Sequence, residues 1–167
     1  LILKELEIKY GRDDLVVIKR GNFYYDQQKL QMLRIDEAAI NKVIQKHMRF
    51  VNGISKLILK REIFDETNDE SMYKLRNFTH PSKGPNALVI LKKYWTYRGS
   101  YGTGHGTPYD YDTHVPLLFA REGQKRKLVN RKIKTVDIAP TISEILNVPY
   151  PSSLDGAPIV EVLKRTN

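Results

Sequence analysis

"ALVIL", residues 87–91, is an uninterrupted apolar run and the strongest strand signal in the chain. Five apolar residues in a row, without alternation, predict a strand buried on both faces. A second apolar run at Val115–Ala120, "VPLLFA", predicts another such strand. That run closes the stretch "GTGHGTPYDYDTHVPLLFA", residues 102–120, in which glycine and proline punctuate two histidines and two aspartates. Polar loops at the ends of buried strands are where α/β sheets hold their sites.

Working outward, residues 1–10 suit a helix. Leu15–Ile18 and Phe23–Tyr25 read as two strands joined by a turn at Arg20-Gly21-Asn22. Asp36 is placed to cap a helix in which Ala39, Ile40, Val43, Ile44, His47 and Met48 recur at helical spacing. Gly53 ends that unit and Ile54–Leu59 reads as a strand. Residues 60–77 are charged and partly helical, with a loop at 65–69. Asp137 is expected to cap a short helix with Pro140 in its first turn and Ile142, Ile145 and Leu146 facing inward. The expected division is a small α+β unit over residues 1–84 and the closing part of an α/β sheet over residues 85–167.

At 167 residues and 41% apolar composition, the chain is long enough for a core and too apolar for disorder throughout. It has no cysteine, which excludes disulfides and thiolate chemistry. Any metal must be held by His, Asp, Glu, hydroxyls or carbonyls. No apolar run reaches about 18 residues, so no membrane span is expected. The chain begins at Leu1, without Met or a signal-peptide plan, and reads as processed or truncated.

The net charge is +9, and the densest basic stretch holds Arg121, Lys125, Arg126, Lys127, Arg131, Lys132 and Lys134. Such a cluster is either a solvated loop or a surface for nucleic acid or another polyanion. No aromatic side chain is interleaved there to stack bases.

His105 sits between Gly104 and Gly106, which free the backbone and remove bulk beside the imidazole. That suits a metal donor, and it equally suits an exposed loop histidine. His114 precedes the second apolar run and either touches a ligand or packs beneath the loop. Asp110 and Asp112, two apart, are candidate ligands, acceptors that orient a histidine, or ordinary turn residues. Four donors within ten residues match no self-contained zinc spacing. His47, on the apolar helix face, and His80, before Pro81, add nothing to the set.

"GTGHGTPYDYDTHVPLLF" together with "KTVDIAPTISEILNVPYPSSLDGAPI", residues 134–159, resembles the C-terminal end of alkaline phosphatase superfamily enzymes. The nearest branch is that of bacterial alkaline phosphatases with a threonine nucleophile, related to type I phosphodiesterase/nucleotide pyrophosphatases. The tail is shared with sulfatases and phosphodiesterases; the histidine stretch is more specific to the phosphatase branch. Residues 10–95 resemble, more weakly, an accessory insertion of that branch.

The resemblance implies the C-terminal portion of an alkaline-phosphatase-like α/β sandwich, preceded by a small α+β insertion-like unit. It implies two zinc ions that clamp a phosphoryl group, with His105 completing one zinc site. Asp110, Asp112 and His114 take supporting positions, and Thr107 and Tyr109 shape the pocket wall. The family's nucleophile, Asp-His pair and Asp-x-x-x-His ligands are expected upstream; no Asp-His pair occurs here, and Asp110–His114 is the one Asp-x-x-x-His spacing in this sequence. The reading is therefore a piece of a zinc-dependent phosphate-ester hydrolase, a phosphomonoesterase first, inactive alone and periplasmic or secreted when whole. Its expected partners are the phosphate-ester substrate and the upstream part of the same enzyme. A homodimer through open apolar strand edges is a further expectation. The alternative is a stand-alone basic module for nucleic acid or another polyanion.

Overall fold

A computed structural model describes residues 1–65, 69–97, 104–122 and 125–163. The chain divides into two compact units, Leu1–Val115 and Pro116–Asn167.

The first unit begins with helix α1 (Ile2–Tyr10), closed by Gly11 in the left-handed conformation. Strands β1 (Val16–Lys19) and β2 (Asn22–Tyr25) follow. Arg20 and Gly21 both take positive φ, at 49° and 79°, and Lys19 pairs with Asn22. This is the two-residue turn whose twist matches a hairpin. Asp26 accepts from the Lys29 N–H and caps helix α2 (Gln27–Met32), which the sequence pattern had not suggested.

Asp36 caps α3 (Glu37–Met48) as expected, its Oδ1 accepting from the Ala38 N–H at 2.8 Å. Ile40, Val43 and Ile44 form the buried stripe of α3. His47 is half-buried rather than packed among apolar groups. Its Nε2 lies 2.7 Å from Glu5 Oε2 of α1, which also takes Lys46. Then come β3 (Ile54–Leu59), α4 (Lys60–Phe64), α5 (Glu70–Phe78) and β4 (Ala87–Leu91).

The four strands form one antiparallel sheet in the order β1-β2-β4-β3. β4 is therefore central, and its apolar run divides by parity. Ala87 and Val89 join a core with Leu6 of α1, Phe23 of β2 and Ile40 and Ile44 of α3. Leu88 and Ile90 join a second core with Ile58, Ile63 of α4 and Leu75 of α5. Strict alternation sends neighbouring side chains to opposite faces, so burial on both faces needs a cover on each.

Two expectations are corrected. A homodimer through an open edge of Ala87–Leu91 is not supported, because β4 is an inner strand, with β3 along one side and β2 pairing at Ala87 on the other. β4 belongs to the sheet of the first compact unit. Val115–Ala120 is not a strand: no described strand lies beside it, and Val115, Leu117 and Leu118 are exposed. Without a neighbour an apolar run has no backbone partners for a ladder, and Pro116 removes one donor.

Within the first unit, α6 (Asp110–Thr113) is a single turn. The second unit holds a 3₁₀ turn at Thr135–Asp137, α7 (Ile138–Leu146) and α8 (Val160–Leu163). Pro140 and Thr141 are the buried residues of α7, while Ile142 and Leu146 are exposed, contrary to the inward face expected. Asp137 does not cap α7 with its side chain. It accepts from the backbone N–H groups of Lys134 and Ala157 instead, at 2.8 and 2.9 Å.

Candidate functional site

The loop that carries His105 is moored to the end of β4. Tyr109 packs its ring against the Ile58–Ile63–Leu75 core, and its hydroxyl donates to the Leu91 carbonyl at 2.7 Å. Its backbone carbonyl accepts from the N–H groups of Asp112 and Thr113, which starts α6. Lys74, one helix away on α5, places its Nζ 3.3 Å from Thr113 Oγ1 and 3.4 Å from Asp110 Oδ1. Lys93, just after β4, holds its ammonium over the Tyr109 ring. Lys74 and Lys93 also line a shallow groove of about 230 Å³ with Ser71, Tyr109 and Asp110.

Asp112 closes the loop back on itself. Its Oδ2 accepts the Thr107 N–H at 2.8 Å and the Thr107 hydroxyl at 2.7 Å. The Thr107 hydroxyl and N–H bonds, with a further bond from the Gly106 N–H, hold the Asp112 carboxyl below its usual range. Gly106 takes φ 107°, a conformation that glycine adopts without cost. A carboxylate pinned by backbone donors thereby fixes the path of the residues that follow His105.

His105 itself is exposed, and no described residue hydrogen-bonds its ring; the Asp112 carboxylate is its electrostatic neighbour. His114 is exposed at the end of α6, where its N–H donates to the Asp110 carbonyl at 2.8 Å. Asp110 is exposed and faces Lys74. The structure thus gathers Thr107, Tyr109, Asp110 and Asp112 into one anchored turn and leaves both imidazoles directed to solvent. Lys74 was missed because nothing local links it to a loop 36 residues away.

Zinc needs three or four nitrogen or oxygen donors around one point. Among the described residues no three His, Asp or Glu side chains come together in that way. The described residues do not build a zinc centre by themselves.

In the second unit the polar residues of the tail have structural work. The Thr141 hydroxyl donates to the Asp137 carbonyl and accepts the buried Ile159 N–H. Gly156 lies where an added Cβ would fall 2.1 Å from the Val136 carbonyl oxygen. The tail "TVDIAPT…LDG" is therefore a clasp between the start of α7 and residues 156–159. In the basic stretch, Arg131 makes a two-pronged bond to Glu161, at 2.6 and 2.7 Å. That pairing withdraws one cation from any polyanion surface. Among the described residues no helix is long and apolar enough to cross a membrane.

No protein-family model matches the chain. It is similar to alkaline phosphatase PafA of Elizabethkingia meningoseptica, with 24% identity over 164 residues, 96% of this chain and 30% of PafA. It is also similar to alkaline phosphatase PhoV of Synechococcus elongatus, with 34% identity over 165 residues, 98% of this chain and 29% of PhoV. The crystal structure of wild-type PafA superposes with a TM-score of 0.82 at 25% identity, over 98% of this chain and 32% of that one. The chain thus spans about 30% of the length of the curated relatives it matches.

Proposed function

We propose, from the premise that this chain belongs to the alkaline phosphatase superfamily, that it is the C-terminal part of a periplasmic or secreted phosphomonoesterase. In this reading His105 lends one imidazole to a zinc centre completed by residues outside this chain. The supporting observation is the anchored loop. It is tied at Tyr109 and Asp112, yet it leaves the His105 ring exposed and hydrogen-bonded to no described residue. An exposed imidazole with no described protein partner, carried on an anchored loop, is open to a ligand.

Each residue has a separate task. Asp112 and Thr107 set the backbone beside His105, Tyr109 holds the turn on β4, and Lys74 steadies α6 from α5. Zinc, when bound, supplies Lewis-acid stabilisation of the charge on phosphoryl oxygens. Among the described residues no donor set for that centre comes together, and in this reading the chain alone is inactive toward phosphate esters.

The test is hydrolysis of 4-nitrophenyl phosphate, bis(4-nitrophenyl) phosphate and 4-nitrophenyl sulfate by the longer polypeptide that carries this sequence. Expected is a preference for the monoester that His105→Ala reduces at least a hundredfold. Equal turnover of the diester or sulfate rejects the phosphomonoesterase assignment. Unchanged turnover in His105→Ala rejects the role of His105.

A further inference from the structure

Tyr94 is the feature that neither the fold nor the proposed zinc donor explains. It lies in the turn after β4, where the Trp95 N–H donates to the Lys92 carbonyl at 3.1 Å. Its φ is 66°, in the left-handed region. That position of a turn is ordinarily filled by glycine or asparagine, and a bulky aromatic residue there is an outlier. Burial does not offset the strain, because Tyr94 is 84% exposed. Backbone strain kept at an exposed position points to a function for the side chain.

The ring is not loose. It stacks on Tyr111 of α6, with centroids 5.0 Å apart and planes 21° from parallel. The Tyr94 N–H also donates to the Tyr111 hydroxyl at 3.2 Å. Tyr111 in turn lies 5.7 Å from Tyr109, whose own ring carries the Lys93 ammonium. Three rings therefore run from the core outward and end on the free face of Tyr94, with Lys92 and Lys93 in the same turn. Tyr111 is the neighbour of Asp112, which pins the loop of His105. An exposed π-face at the end of a ring stack that carries a lysine ammonium on its inner ring, Tyr109, suits a planar aromatic group attached to an anion.

We infer that the free face of Tyr94 stacks the aromatic group of a phosphate monoester, a nucleobase or an aryl ring, so that Tyr94 determines specificity at the proposed site. The inference rests on the phosphomonoesterase reading for its biological meaning, but its test is a binding measurement that requires no turnover.

The probes are AMP and ribose 5-phosphate, titrated into the full chain and followed through the ring resonances of Tyr94 and Tyr111. Expected is AMP affinity about tenfold above that of ribose 5-phosphate, the scale of one base–aromatic stack. The informative variant is Tyr94→Gly. It removes the ring while placing in the turn the residue best suited to positive φ, so the fold is retained. In Tyr94→Gly, AMP affinity is expected to fall to that of ribose 5-phosphate. Equal affinity for the two probes in the unaltered chain overturns the inference, as does AMP binding that Tyr94→Gly leaves unchanged. AMP stacking in a longer polypeptide that does not hydrolyse 4-nitrophenyl phosphate refutes only the phosphomonoesterase reading, and hydrolysis without stacking refutes only this one.

Discussion

The Asp112 carboxylate accepts both the N–H and the hydroxyl of Thr107, at 2.8 and 2.7 Å, and so bridges five residues of the loop that follows His105. Asp112→Ala removes the shared acceptor, and Asp112→Asn removes the charge while keeping one acceptor oxygen. The expected loss in Asp112→Ala is about 1 kcal/mol locally, the low end for a charged acceptor because the carboxylate is partly solvated. Amide exchange at Thr107 should then quicken about fivefold, with a smaller change in Asp112→Asn. Unaltered exchange in Asp112→Ala means the bridge does not order the loop.

Two glycines with similar φ separate conformational cost from steric cost. Gly11 has φ 70° and open space around a hypothetical Cβ, whereas Gly53 has φ 88° and would meet the Trp95 ring at 2.3 Å. Gly11→Ala is expected to cost about 1 kcal/mol from backbone strain alone. Gly53→Ala adds overpacking and should exceed about 2 kcal/mol. At about 2–4 °C per kcal/mol for a chain of this size, Tm distinguishes them. Trp95 is the sole tryptophan, so its emission reports displacement of the ring directly. A larger drop in Gly11→Ala, or unchanged emission in Gly53→Ala, contradicts the packing described.

Much of the first unit was legible in the sequence because its signals are local. The Asp36 cap, the Arg20-Gly21 turn and the run of β4 each act within a few residues, and each produced the expected element. What the run at 87–91 did not reveal is which strands flank it, because double-sided burial looks alike in parallel and antiparallel sheets. The run at 115–120 misled for the opposite reason: its composition is that of a strand, but strand formation needs a neighbour. The motif around His105 announced its residues and not their partners. Of the three readings open for Asp112 (ligand, acceptor for a histidine, ordinary turn residue), the structure shows the last: it serves backbone and hydroxyl donors of its own loop. Lys74 and Tyr94 meet the loop through tertiary packing from α5 and from the turn after β4, and no spacing rule connects them.

The second unit is expected to be acid-sensitive. Arg131 holds Glu161 down to about 2, and the Lys134 and Ala157 N–H groups hold Asp137 below its usual range. Both carboxylates have folded-state pKa values lowered from the unfolded ones. Their contribution is thus complete above about pH 4.5 and lost as pH falls toward about 2. Chemical shifts of residues 135–160 should move through that window, and Glu161→Gln should weaken the part that belongs to Arg131. Stability of this unit that rises on acidification rules out the clasp as described.

The central claim is that His105 is a fixed donor lent to a metal centre this chain does not build alone. The direct measurement is zinc stoichiometry of the longer polypeptide by elemental analysis, in the unaltered form, in His105→Ala and in His114→Ala as the control. Expected are two zinc ions per polypeptide in the unaltered form and in His114→Ala, and the loss of about one in His105→Ala. Full zinc occupancy in His105→Ala, with His114→Ala also unchanged, contradicts it.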